Sequence, residues 1–281
     1  MARLDTSDHD RYAGGKGYVY PVVSRRARGV SVGINLSPND ACNWRCVYCQ
    51  VPGLTRGKGP TIDLERLGDD LSRLLDDIVD GDFMERRVPA GSRRLNDLAF
   101  SGNGEPTGSP DFAAAVELAA GELDRRGLVG AVKLVLITNG SLVHKPEVAP
   151  ALERIAAAGG EVWFKLDAGT DAGLERINDT TRGIEKQLAN LRRCAELAPT
   201  WLQTVLFERD GEAMAGEWRD WLANLAVLMA EEVPLRGVHL YGIAREVHQP
   251  EASELQRLPS EALEAHAADV RRLGLEVTVN P

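Results

Sequence analysis

No apolar run in the 281-residue sequence approaches the length needed to cross a bilayer. The amino terminus, Met1 to Tyr12, lacks the basic and apolar regions of a secretory signal and carries Asp5, Asp8 and Asp10 instead, so cytoplasmic residence is the expectation. There are only four cysteines, a poor disulfide framework for a chain this long; a reducing compartment would keep them available as ligands. Positive charge is not in excess either. A formal net charge of −9 disfavours non-specific attraction to nucleic acid, although it leaves room for a local basic patch. With 43% hydrophobic and 27% charged residues, the composition is that of an ordinary globular chain and suggests neither disorder nor a membrane protein.

What the sequence does have is a cluster. Cys42, Cys46 and Cys49 fall within Cys42-Asn-Trp-Arg-Cys46-Val-Tyr48-Cys49, so three of the four cysteines occupy eight residues. Thiolates are soft ligands that suit iron–sulfur clusters or zinc, and three so close must converge once their loop folds. A zinc ion would need a fourth donor from His9, His144, His239, His248, His266 or Cys194, none at motif spacing to the three. A [4Fe–4S] cluster with three cysteine ligands would instead leave one iron open. Spacing alone does not choose between them.

The rest of the chain alternates strand and helix patterns. Residues 1–29 read as an irregular leading segment, with Gly14, Gly15 and Gly17 and a basic run, Arg25, Arg26 and Arg28, that reads as solvated surface. The first strand is expected over Val30 to Ser37, where Val30, Val32, Ile34 and Leu36 alternate with small or polar residues. If the branched side chains meet outer helices, the small ones point inward and leave space for a cofactor. Further strands are expected at 96–100, 133–138, 161–167, 201–207, 238–241 and 275–279. Helices are expected at about 64–78, 111–126, from Pro146 to before Gly159, 184–197, through Met214 to Met229, and 261–273. This predicts an α/β fold, a partial (βα)6 TIM-like barrel of parallel strands with outer helices, forming one domain over residues 30–281. Sites in such folds collect at the strand carboxyl ends. Cys42 to Cys49, Gly104-Glu105-Pro106, Asn139-Gly140 and Asp167 all follow predicted strands directly.

The cysteine spacing, with Tyr48 in the aromatic place before the last cysteine, resembles the radical S-adenosylmethionine (SAM) superfamily. Gly104-Glu105-Pro106 resembles that family's glycine-glutamate turn, although Asn103 stands where a second glycine is commoner. The resemblance implies a [4Fe–4S] cluster on Cys42, Cys46 and Cys49, with SAM as the molecule bound at the open iron. It further implies a one-electron donor such as flavodoxin or ferredoxin, and reductive cleavage of SAM to a 5′-deoxyadenosyl radical that takes hydrogen from a substrate. Under this resemblance Tyr48, Gly104, Glu105, Pro106, Asn139, Lys165 and Asp167 are cofactor-binding candidates, with Asp167 placed for the ribose hydroxyls. The loop and the Gly-Glu-Pro-Thr turn resemble the wyosine-type tRNA-modifying enzymes and the glycyl-radical activating enzymes, with tRNA favoured and a protein or small-molecule substrate open. A non-catalytic metal-binding interaction module is the alternative outside enzymes.

Several polar residues carry competing readings. Lys165 and Asp167 share one face of a strand with Trp163, so an internal ion pair is as natural as a cofactor contact. Asn139 equally fits a simple turn role. Gln203 and Thr204 fall on opposite faces, so only one reaches a pocket. His239 and Tyr241 share a face, where a satisfied core histidine is the better reading. Arg182 and Arg245 are weaker candidates for a carboxylate or phosphate. The segment from Gln50 to Pro60, with Arg56 and Lys58, either covers the site or is a solvated connection. Cys194 continues an apolar helical pattern and reads as a small buried residue.

Overall fold

A computed structural model describes Leu4 and residues 17–24, 29–213 and 215–281. The Arg25, Arg26 and Arg28 run, His9 and Met214 lie outside the described residues. The chain falls into two compact units. The first comprises Met1–Cys42, Gly57–Ile137 and Lys145–Glu161, and the second Asn43–Arg56, Thr138–His144 and Val162–Pro281. Among the described residues no helix is long and apolar enough to cross a membrane.

In the first unit, β1 (Val19–Ser24) pairs antiparallel with β2 (Gly29–Ile34), which runs parallel to β3 (Leu95–Phe100), itself parallel to β4 (Lys133–Thr138). Residues 19–24 thus form a strand where an irregular segment is expected, and the reason lies in the pairing. Tyr20 stands opposite Gly33, and a Cβ at Gly33 would lie 2.2 Å from the Tyr20 ring. The missing side chain on β2 is therefore filled by that ring, whose hydroxyl is 2.9 Å from Ser101 Oγ, rather than left open at this position. Helix α1 (Leu64–Val79) starts where Asp63 accepts the Arg66 N–H, and it buries Leu67, Leu71, Leu75 and Ile78. Helix α2 (Phe112–Arg125) buries Phe112, Val116 and Leu123. Helix α3 (Ala149–Ala157) begins later than Pro146 predicts.

In the second unit β5 (Glu161–Lys165), β6 (Thr200–Val205), β7 (Leu235–Tyr241) and β8 (Glu276–Asn280) pair in that order, all parallel. Between them run α4 (Asp171–Asn178), α5 (Ile184–Leu197), α6 (Ala215–Ala230) and α7 (Ser260–Arg272). Helix α4 is absent from the expected elements. It is short, and Gly173 interrupts its pattern, yet Thr170 caps it by accepting the Gly173 N–H. Phe207–Arg209 leaves the line of β6 to join a small antiparallel sheet with Glu212–Ala213 and Leu255–Arg257.

One turn in this unit is over-determined. Gly140 has a φ of +70°, and a Cβ there would lie 2.1 Å from the buried Phe164 ring. A side chain therefore meets both left-handed backbone strain and overpacking. Gly140→Ala is expected to destabilise the protein by about 3 kcal/mol. An unchanged urea midpoint would show that the turn relaxes freely.

Candidate active site

The first unit positions Cys42 and the glycine-glutamate turn. Asn35 at the end of β2 accepts the backbone N–H of Ser37 at 3.0 Å and of Asn103 at 3.3 Å, tying the two strand-end loops together. Asn103 Nδ2 donates to Asp40 at 2.6 Å, so the residue that departs from the double glycine acts as a brace. A Cβ at Gly104 would stand 2.1 Å from the Ala41 carbonyl oxygen, which makes glycine obligatory where the turn presses on the residue before Cys42. Glu105 is buried and turned onto its own loop, accepting from Thr107 N at 3.1 Å and Thr107 Oγ1 at 2.6 Å. Pro106 opens the 3-10 turn that Glu105 caps.

The second unit positions Cys46, Tyr48 and Cys49. A tight turn closes with Cys49 N donating to Cys46 O at 2.9 Å, while His248 N donates to Cys49 O at 3.0 Å. Three consecutive residues at the end of α4 grip three consecutive residues of the loop. Val47 N donates to Ile177 O at 2.9 Å, Asn178 Nδ2 donates to Cys46 Sγ at 3.3 Å, and Arg45 Nε donates to Asp179 at 2.8 Å. Asp179 holds the left-handed conformation at the helix end, φ 50°, and also pairs with Arg56 at 2.7 Å. Arg45 completes the grip with a bidentate pair to Glu251 at 2.8 and 2.9 Å. These bonds to Glu251 and Asp179 raise the Arg45 guanidinium further, and the same guanidinium lowers Glu251. Arg56 is exposed, as a solvated connection would have it, and its guanidinium also joins this clamp, donating to Asn43 O at 3.1 Å.

Behind the turn lies a buried polar cluster. Asp167 accepts from the Tyr48 hydroxyl, from Asn178 Nδ2 at 2.8 Å and from Val205 N at 3.2 Å, and Lys165 Nζ stands 3.8 Å from it. Lys165 also donates to the Tyr241 hydroxyl at 2.6 Å and sits over the Tyr48 and Tyr241 rings, at 5.0 and 5.2 Å from their centroids. Burial opposes the lysine's charge, but Asp167 and Tyr241 outweigh it and raise its pKa, so the ammonium persists at neutral pH. Tyr48 rises well above the ordinary phenol range, through burial first and the Asp167 charge second. Burial pushes the Cys46 thiol up to about 11, against the pull of Lys165. Tyr48 also packs into the apolar cluster of Val47, Leu174, Ile177, Val205, Phe207 and Ile243, which fixes the loop from its inner side.

The remaining candidates separate cleanly. Asn139 accepts the Ser141 N–H at 3.0 Å, a turn of the expected kind, while its Nδ2 donates to Asn43 at 2.8 Å and so supports the residue after Cys42. Gln203 is in register with Lys165 and His239 and shares their face, whereas Thr204 donates to the Leu166 carbonyl at 2.8 Å. His239 is a core histidine, stacked on Trp201 at 4.5 Å, edge-on to Trp163 at 4.9 Å and 2.6 Å from Thr278 Oγ1. Burial lowers Arg182. Cys194 is buried, with its thiol raised to about 12 by that burial. Asn178, Arg45 and Glu251 are absent from the sequence-derived candidates. Asn178 lies 132 residues from Cys46 and Glu251 206 from Arg45, separations that leave no local pattern.

The donor set fits an iron–sulfur cluster. The three loop cysteines are half-buried, and Cys46 already receives an N–H bond of the kind that supports a thiolate ligand. Among the described residues, no three or more His, Cys, Asp or Glu side chains are grouped around a single-ion position.

By fold this is an α/β protein with three cysteines in the loop that follows a strand's carboxyl end. Residues 36–222 match the family model of the Radical SAM superfamily, and the chain belongs to that superfamily. Its members are enzymes whose cofactors are a [4Fe–4S] cluster and SAM. A UPF0026 protein of Helicobacter pylori strain ATCC 700392 / 26695 is 27% identical over 186 residues, covering 63% of this chain and 51% of the relative. The chain therefore spans about half the length of that curated relative. A solved structure of TYW1 with a lysine-pyruvate adduct has a TM-score of 0.55 at 16% identity, covering 88% of this chain and 74% of that one. The enzyme anSMEcpe with bound AdoMet also has a TM-score of 0.55, at 15% identity, covering 89% and 63%. These likenesses show the fold, the α/β partial TIM-like barrel expected from the sequence.

The clamp on the loop gives a direct test. A double-mutant cycle on Arg45→Ala and Glu251→Ala, read by chemical denaturation, is expected to give a coupling of about 1 kcal/mol, the upper end for a partly exposed pair. Simple additivity of the two single variants would show that the pair does not hold the loop.

Proposed function

We propose that this chain is a radical SAM enzyme whose [4Fe–4S] cluster is held by Cys42, Cys46 and Cys49. The observation that carries the reading is the cysteine turn itself: two of its cysteines lie on a closed turn bonded to α4, and the third follows Ala41, against whose carbonyl the Gly104 turn packs. When bound, the cluster supplies one-electron reductive cleavage of SAM to methionine and a 5′-deoxyadenosyl radical, with flavodoxin or ferredoxin as the donor class.

The protein's own residues bind and orient. Gly104, Glu105 and Pro106 present the turn on which the amino group of SAM is held, and the Thr107 bonds keep the Glu105 carboxylate facing its own loop until that group arrives. Asp167 acts chiefly through others. Its bonds fix the Tyr48 ring and the Asn178 amide, and its charge keeps Lys165 protonated as a fixed cation beside the cysteine turn. Asn139 steadies Asn43 and thereby the backbone that follows Cys42. The apolar cluster around Tyr48 excludes water from the inner side of the loop.

For the substrate we propose tRNA, modified in a wyosine-like manner. The support is the resemblance of the cysteine loop and the Gly104-Glu105-Pro106-Thr107 turn to that group. The activating enzymes share the same features and are distinguished by their substrate, a partner protein.

Anaerobic reconstitution is expected to give a brown protein with about four irons per chain that yields 5′-deoxyadenosine from SAM on reduction. Cys46→Ala should abolish both properties and Cys194→Ala should leave both intact. A colourless protein with one zinc, or SAM cleavage retained by Cys46→Ala, would refute the ligand assignment. For the substrate, mass spectrometry of tRNA from a strain lacking the gene should reveal a missing modified nucleoside. Unchanged tRNA would remove that substrate class.

A further inference from the structure

We infer that Asn178 sets the reduction potential of the metal centre by donating a hydrogen bond to the Cys46 sulfur. The inference rests on the reading of Cys46 as a cluster ligand and adds a positioning residue to it. Asn178 is the last residue of α4 and is 0% exposed, an unusual place for an amide that caps nothing. Its Nδ2 lies 3.3 Å from Cys46 Sγ and 2.8 Å from Asp167 Oδ2. The orientation of the amide is dictated by chemistry. Turned over, its carbonyl oxygen would face the Asp167 carboxylate, an acceptor with nothing to donate.

The amide is also unable to swing away. One N–H is taken by Asp167, which Tyr48 and Val205 hold in turn, so the other stays aimed at the sulfur. On either side in sequence, Ile177 O binds Val47 N and Asp179 pairs with Arg45 and Arg56. The donor is therefore fixed before any metal binds, as a supporting group must be.

The direction of the effect follows from charge. On reduction one electron passes from a flavodoxin- or ferredoxin-type donor, which is oxidised by one electron, to the centre, and no proton need move. The added negative charge is shared with the ligand sulfurs, and an N–H aimed at one of them stabilises the more negative state. Asn178 thereby raises the potential, easing the reduction on which SAM cleavage depends.

The test is a redox titration of the anaerobically reconstituted full chain, followed by electron paramagnetic resonance, for wild type, Asn178→Leu and Asn178→Ser. Both variants remove the donor from reach of the sulfur, and serine keeps a polar side chain should leucine fail to fold. The expected result is full iron content with the reduced-to-oxidised ratio at a fixed solution potential lowered about tenfold, a shift of about 59 mV to more negative values. Full iron content with an unchanged potential overturns the inference. Loss of the cluster from both variants overturns it as well, since Asn178 would then be structural only. A wild-type protein that takes up no cluster removes instead the ligand reading beneath it.

Discussion

The site depends first on the grip of a helix end on a loop. Ile177, Asn178 and Asp179 finish α4 and meet Val47, Cys46 and Arg45 through a backbone bond, an N–H to sulfur bond and an ion pair. Val47 and Tyr48 anchor the inner side of the cysteine loop, but thiols in water gain nothing from a particular arrangement. The order must come from elsewhere. Here it is supplied by a short helix whose left-handed terminal residue, Asp179, turns its carboxylate toward two arginines at once. Individually such partly exposed pairs contribute about 0–1 kcal/mol, so it is the sharing of Asp179 and the bidentate Arg45–Glu251 geometry that give the clamp its effect.

The second constraint is electrostatic. Lys165, Asp167, Tyr48, Tyr241 and Asn178 form a polar group in a place where an unmatched charge would be costly, and the structure matches both charges. The carboxylate takes three donors beside the nearby ammonium, and the ammonium gains two aromatic faces and a phenol oxygen. The result is a preorganised cation and a fixed amide next to Cys46. Catalysis by electron transfer benefits from such fixed dipoles because they need not reorganise when charge moves. The glycine-glutamate turn follows the same logic in the first unit, where Asn35 and Asn103 hold backbone that Gly104 alone allows to approach Ala41.

Much of this was legible in the sequence wherever chemistry and spacing are local. Three cysteines within eight residues, Tyr48 before the last, and glycine-rich turns after alternating apolar strands all report on neighbours along the chain. Strands 133–138 and helix 184–197 match the structure to the residue. What the sequence conceals is long-range. Helix α4 is short and carries a glycine, so its periodicity is faint, and nothing in Asn178 marks it as a partner of a cysteine 132 residues away. Tyr20 is concealed in the same way. Its ring fills the space beside Gly33, and that depends on an antiparallel pairing that the residues before β2 do not announce. Asp167 was legible as an inward polar residue, but not as one whose lone pairs are already engaged by Tyr48, Asn178 and Val205.

The central claim is that this loop presents a cluster with one iron open to SAM. The most direct measurement is the electron paramagnetic resonance spectrum of the reduced, reconstituted protein with and without SAM. The account predicts that adding SAM shifts the g-values of the cluster signal, because the amino and carboxylate groups bind the open iron. Superimposable spectra at saturating SAM would contradict it.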